Sequence, residues 1–224
     1  MKTTAVIVAG GKGLRMGTAL PKQFLPLLGK PVLHYAIKAF RDTFPGIRII
    51  LVLPADQLSY ANIVLQSFED GIDLDVVTGG PTRFHSVQQG LQQVEPGSII
   101  FVHDGVRPLI DTELLQRCYD TAIEYGSAIP AIAVSDSIRQ CSEGHSIPVN
   151  RDQLRIIQTP QTFRSDILLD AFSQEYQDSF TDEATVVQAY GEDVVLVEGS
   201  KKNIKVTTPE DLLIAAALMN ATQQ

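Results

Sequence analysis

The chain is poor in cysteine, with two in 224 residues, Cys118 and Cys141. That excludes a disulfide framework, and their spacing matches no zinc site. Cys118 falls within a helical pattern and reads as a half-buried packing thiol. Long hydrophobic runs are also missing. No stretch nears the ~20 apolar residues that span a bilayer. The apolar run at Thr4–Ala9 is too short for a secretory core and meets glycines at once. No membrane partner is expected, and the cytoplasm is the expected compartment. Positive charge is scarce as well. Lys and Arg number 18 against 26 Asp and Glu, a net charge of −8, which argues against a nucleic-acid partner. An acidic chain can still bind a phosphorylated small molecule if it concentrates its few cations in one place.

What is present is ordinary for a globular domain. A hydrophobic share of 44% with 20% charged residues supports a sizeable core and excludes disorder. Residues 1–224 read as one domain, without internal repeats or a dividing linker. Strands are predicted at Thr4–Ala9, Arg48–Leu53, Leu74–Val77, Ile99–Val102, Ala128–Val134 and Val194–Val197. Helices are predicted at Val32–Phe44, Gln57–Phe68, Phe84–Val94 and Thr112–Tyr125, the last capped near Asp111 and Thr112. Such alternation specifies an α/β fold, Rossmann-like, with a mostly parallel sheet and helices on both faces. From about 135 to 155 the pattern changes to polar–apolar alternation around Ser142-Glu143-Gly144. That predicts a protruding hairpin arm, marginal alone and suited to packing on a second subunit.

The strongest local signal follows the first strand. Val8–Met16 reads VAGGKGLRM, and glycines there let backbone N–H groups approach an anion. It is neither a dinucleotide fingerprint nor a P-loop, because the third glycine and the lysine–hydroxyl pair are absent. Arg15 in the loop and Lys22 in Leu20-Pro21-Lys22-Gln23-Phe24 supply cations, the second held stiffly beside Pro21. Fixed cations of this kind stabilise charge that develops on an attacked phosphate.

These segments, AGGKGLRM and then LPKQF, resemble the nucleotidyltransferases that activate sugar and polyol phosphates. Later motifs narrow the resemblance to cytidylyltransferases of the 2-C-methyl-D-erythritol 4-phosphate type, from the non-mevalonate isoprenoid pathway. It runs to about Leu218, and no fused second enzyme is expected. The resemblance implies CTP and a polyol phosphate as substrates, Mg²⁺ as cofactor and a homodimer joined through the arm. It implies Arg15 and Lys22 as catalytic residues, with Ala9, Gly10, Gly11 and Gly13 cradling the nucleotide.

In VTGGPTRFHSV, Val77–Val87, it places Gly80 and Ser86 at the cytosine; Pro81 or Thr82 stands where the family often has an acid, so backbone contacts are expected. In FVHDGVRPLI, Phe101–Ile110, Asp104 would lie near triphosphate and metal, a natural role for a carboxylate at a strand end. Arg107 would face the acceptor, and His103 reads as structural. Ser137 replaces the usual threonine of the arm and, with Arg151, would serve the neighbouring subunit's acceptor. Thr159 in IIQTPQTF and Lys205 in NIKVTTPEDL, on a predicted short strand, would hold the acceptor phosphate. Thr181, read as a helix cap, and Asp182 would face its polyol, although the helix dipole alone accounts for Asp182 and Glu183.

The reaction implied joins CTP to 2-C-methyl-D-erythritol 4-phosphate with loss of pyrophosphate. A phosphate nucleophile needs no general base, in keeping with the lack of a Ser-His-Asp or Cys-His arrangement. Ribitol 5-phosphate is the rival acceptor, and a non-catalytic nucleotide sensor is the rival of another class.

Overall fold

The computed structural model describes residues 1–10 and 20–222. Gly11, Gly13 and Arg15 lie outside the described residues.

The chain alternates strands and helices as the sequence predicts. In order they are β1 Lys2–Val8, β2 Pro26–Leu27, β3 Lys30–Pro31, α1 Val32–Thr43, β4 Arg48–Leu53, α2 Ala61–Leu65, β5 Asp75–Thr78, α3 Arg83–Leu91 and β6 Ser98–Asp104. Then come α4 Thr112–Tyr125, β7 Ser127–Ala133, β8 Ile138–Ser142, β9 His145–Val149, β10 Arg155–Ile157 and β11 Gln161–Arg164. The last four are α5 Ser165–Ala171, α6 Glu183–Tyr190, β12 Leu196–Glu198 and α7 Pro209–Thr222.

Strand β1 lies at the centre, parallel to β4 on one side and β6 on the other, and β4 is parallel to β5. Beyond β6 the sheet continues through β11 to β7, with β12 parallel to β7. Burial explains the apolar strands. Ala5 and Ile7 of β1 point into a core with Leu33, Phe40 and Leu114. Val6 and Val8 point the other way, toward Phe84, Val87 and Phe163. Both faces of the sheet are therefore covered, which a parallel arrangement requires.

The small β2–β3 pair and two short strands of the main sheet were not legible. β11 inserts antiparallel between β6 and β7, and β10 pairs antiparallel with the far end of β7. Ile157 lies opposite Ala131 and Thr162 opposite Ala128, so more residues pass on the β10–β11 side than on β7. The surplus forms a bulge at 158–161, and bulges redirect side chains.

The remaining departures have local causes. The predicted helix Gln57–Phe68 is a 3₁₀ segment, Ala55–Tyr60, followed by the short α2. The Gln57 side chain is drawn inward to accept from Gln23 Nε2 at 2.7 Å, a tertiary contact that overrides helical propensity. Lys205 lies outside any strand, and the next residue, Val206, donates its N–H to the loop carbonyl of Val106 at 2.8 Å instead of to a ladder. Cys118 is fully buried, not half-buried, and burial pushes its thiol up to about 12, so it is inert. The hairpin of β8 and β9 projects with almost wholly exposed residues.

Candidate active site

In an open α/β sheet the ligand crevice lies beyond the carboxyl ends of the strands. The cleft found there has a volume of about 510 Å³. Val8, Ala9 and Gly10 enter it from the end of β1, Pro54 from β4, Gly80 to Arg83 from β5, and Asp104 from β6. Lys22 and Lys205 also line it, so two of the predicted cations converge here despite the chain's negative charge. Lys22 is buried on a single 3₁₀ turn that follows Pro21. Behind it Gln23 donates to the carbonyl of Ala9 at 2.6 Å and ties that turn to the end of β1.

The Gly80 wall is tight. A Cβ on Gly80 would stand 2.4 Å from the Cβ of His85, so only glycine fits. Ser86 closes the turn, accepting from Gly80 N–H at 3.2 Å and donating to the Thr82 carbonyl at 2.9 Å.

A second, smaller compartment of about 210 Å³ adjoins the first. Thr159, Thr181, Asp182 and Arg107 line it, and Asp104, Arg83 and Lys205 belong to both. Lys205 Nζ is 2.8 Å from Asp104 Oδ2, Arg83 Nη2 is 3.4 Å from Oδ1, and Arg107 Nε is 3.9 Å from Oδ2. Burial would raise the Asp104 carboxyl. Arg83, then Lys205 and Arg107, outweigh burial and hold it well below the usual carboxylate range.

Arg107 is buried, its Nη1 donating to the Asn203 carbonyl at 2.8 Å, and its Nε has no hydrogen-bond partner. His103 is fully buried, and burial pushes its imidazole down to about 4. It is structural in the sense expected, bonded to Thr159 Oγ1 at 3.1 Å and to the Arg107 carbonyl at 3.2 Å.

The helix after Thr181 is capped by Asp182, not by Thr181. The Asp182 carboxylate accepts from Thr185 N–H at 2.9 Å, and Thr185 Oγ1 accepts from Asp182 N–H at 3.2 Å. Aspartate and the Thr185 hydroxyl thus form a reciprocal box in which Thr181 has no place as cap. Asp182 also accepts from Gln161 Nε2 at 2.9 Å, which links α6 to the bulge.

Arg83 and Glu183 are functional-site residues that sequence reasoning left without a role. Arg83 Nη2 donates to Glu183 Oε2 at 3.0 Å, and Nη1 contacts Oε1. Glu183 is fully buried, and burial raises its carboxyl against the pull of Arg83. One signal was available. Arg83 opens α3, and a cation at a helix N-terminus is electrostatically misplaced unless an anion answers it.

Ser137 and Arg151 line neither compartment. Both lie on or beside the arm, where Arg151 Nη1 donates to the Ser135 carbonyl. Among the described residues no three His, Cys, Asp or Glu side chains gather as a metal cage, so the carboxylate available to a cation at the shared wall is Asp104. Mg²⁺ needs only one or two carboxylates when substrate phosphates complete its shell, and Asp104 fits that limited part.

Comparison with known proteins agrees with this geometry. Residues 3–221 match the family model described as 2-C-methyl-D-erythritol 4-phosphate cytidylyltransferase. The protein of that name from Bacteroides thetaiotaomicron is 45% identical, covering 98% of this chain and 100% of the relative. That from Bacteroides fragilis is 46% identical over 98% and 100%. The crystal structure of the Thermus thermophilus protein superposes with a TM-score of 0.79 at 30% identity, covering 98% of this chain and 100% of that one. The chain belongs to the 2-C-methyl-D-erythritol 4-phosphate cytidylyltransferase family.

Proposed function

We propose that this chain transfers CMP from CTP to 2-C-methyl-D-erythritol 4-phosphate and releases pyrophosphate. One observation carries the reading: two compartments meet at a wall of Asp104, Arg83 and Lys205. CTP occupies the larger one, its base against Gly80 and Ser86 and its phosphates toward Gly10 and Lys22. The polyol phosphate occupies the smaller one, its phosphate toward Lys205 and Arg107 and its hydroxyls toward Thr181 and Asp182. Arg107 supports this, since it lines the smaller compartment and its Nε makes no hydrogen bond, only a 3.9 Å ion pair with Asp104 Oδ2, which leaves the guanidinium suited to a further anion.

In the reaction a phosphate oxygen of the acceptor bonds to the α-phosphorus of CTP while the bond to the β-phosphate breaks. That oxygen is ionised at neutral pH, so no base must deprotonate it. The work is alignment of two polyanions and neutralisation of their repulsion. Lys22, and by family resemblance Arg15, stabilise the charge that builds on the equatorial oxygens at α-phosphorus. Asp104 is the side chain that would hold Mg²⁺ together with the triphosphate. The bound ion would supply further charge neutralisation on those phosphates.

Ser137 and Arg151 line neither compartment of their own chain, which is in keeping with a homodimer in which the arm serves the neighbouring acceptor site. Both cysteines are free thiols, in keeping with a reducing, cytoplasmic setting. No helix among the described residues is long and apolar enough to cross a membrane.

The test is pyrophosphate release from CTP with each candidate acceptor in parallel. The expected result is turnover with 2-C-methyl-D-erythritol 4-phosphate, at a kcat/KM at least about tenfold above that with ribitol 5-phosphate. The reverse preference would reassign the acceptor. CTP binding without pyrophosphate release from any acceptor would identify a sensor.

A further inference from the structure

His103 has no part in the reaction as described, yet it is fully buried beside Asp104, its ring edge-on to Phe40 with centroids 5.4 Å apart. Its two ring nitrogens have different partners. Nε2 lies 3.2 Å from the carbonyl oxygen of Arg107, and Nδ1 lies 3.1 Å from Thr159 Oγ1. A carbonyl oxygen only accepts, so Nε2 carries a proton. Neither partner is charged and the ring is shut away from water, which favours the neutral form. Nδ1 is then a bare lone pair, and the Thr159 hydroxyl donates to it. Thr159 Oγ1 also accepts the backbone N–H of Asp104 at 3.0 Å. A hydroxyl has one proton, and here it points into the protein, although Thr159 lines the smaller compartment.

The same contacts brace a turn. Arg107 N–H donates to the Asp104 carbonyl at 3.0 Å, and the ring holds the Arg107 carbonyl from the other side. Asn203 Nδ2 donates to the Thr159 carbonyl at 2.8 Å and fixes the threonine from behind.

We propose that His103 is a positioning residue for CMP transfer. It accepts the Thr159 O–H hydrogen bond at Nδ1 and donates from Nε2 to the Arg107 carbonyl, fixing the turn that carries Asp104 and Arg107 and leaving Thr159 no O–H to offer the acceptor phosphate. This rests on the acceptor lying in the smaller compartment, and it makes Thr159 a clamp on the Asp104 backbone rather than a phosphate donor. Within the chain that forms the compartment, the phosphate is then left to Lys205 and Arg107.

Two measurements test it. The first needs no substrate: two-bond ¹H–¹⁵N NMR of the histidine-labelled protein, with His103→Asn used to identify the resonance among the four histidines. The expected spectrum shows a neutral ring protonated at Nε2; a proton on Nδ1 overturns the assignment.

The second is kinetic. Asparagine places an amide near Nδ1 and glutamine one near Nε2, whereas leucine restores neither contact. His103→Leu should lower kcat about tenfold or more, and His103→Asn and His103→Gln should each recover part of it. Thr159→Val should reproduce that fall in kcat while the acceptor KM moves less than about threefold. A large rise in acceptor KM with kcat unchanged would show the hydroxyl on the phosphate and sink the proposal. If His103→Leu does not fold, the tautomer and Thr159→Val still decide. Absence of pyrophosphate release by the unaltered protein would overturn the proposed function instead, with the tautomer result standing.

Discussion

Arg83 and Glu183 stand 100 residues apart in the chain and meet at the cleft, Nη2 to Oε2 at 3.0 Å. One opens α3, beside the larger compartment, and the other opens α6, beside the smaller one. The pair therefore fixes the separation of two helix N-termini that flank the shared wall.

Glu183→Ala leaves Arg83 without its main partner. Removing one member of a buried pair is strongly destabilising, and the Arg83 side chain keeps 29% exposure, so a loss of about 3 kcal/mol is expected. Urea denaturation measures it, and the double variant with Arg83→Met should recover more than half. A single variant within about 0.5 kcal/mol of the parent would mean the pair is solvent-screened.

Lys22→Ala should lower kcat by at least about 10²-fold, the scale of losing one preorganised charge donor, with the thermal midpoint little changed. Steady-state pyrophosphate release gives the number. A near-normal kcat would remove Lys22 from the chemistry.

Gly80→Ala brings a methyl within 2.4 Å of the His85 Cβ, with His85 backbone atoms at 3.1 and 3.3 Å. The turn has to open. CTP affinity should fall about tenfold in calorimetric titration, while the acceptor KM stays put. An unchanged CTP affinity would place the base elsewhere.

Arg151→Ala should raise the acceptor KM and leave that for CTP alone. In mixed dimers, an arm-defective chain paired with a Lys22→Ala chain separates the two sites. Activity should hold near half if each arm serves its neighbour and fall well below half if each arm serves its own site; wild-type affinity of the single variant for both substrates would refute the assignment.

His34 is buried against Phe68, its Nδ1 bonded to Ser67 Oγ at 2.8 Å. Burial, then Lys30, lower its pKa from 6.5. The unfolded chain thus binds a proton that the folded state refuses. Stability from the neutral ring is complete above about pH 6.5 and is lost as pH falls through that value toward the depressed folded one. The thermal midpoint should drop between pH 7.5 and 5.5, and His34→Asn should flatten that drop. A parallel pair of curves would show that His34 does not titrate differently on folding.

The parallel core was legible because its strands carry the signal themselves. Val6 and Ile7 face opposite layers, and a strand buried on both sides must be apolar throughout. β11 escaped notice because Gln161 and Thr162 are polar yet buried, the Gln161 amide bonding Asp182 and the Ala184 N–H at the start of α6 rather than solvent. Lys22 and Asp104 could be placed from short segments that fold locally, and Lys205 from the family resemblance. Glu183 could not. Its role depends on a partner on another helix, and a carboxylate in a first helical turn already has a sufficient local reason to be there.

A ligand long enough to pass Asp104 and reach both rooms would enter as a single body. Once its nucleoside half is seated, its other half faces the remaining room at an effective concentration on the order of millimolar, without a second loss of translational freedom. Bridging inhibitors built on a diphosphate-like spacer should therefore outcompete mimics of either substrate alone.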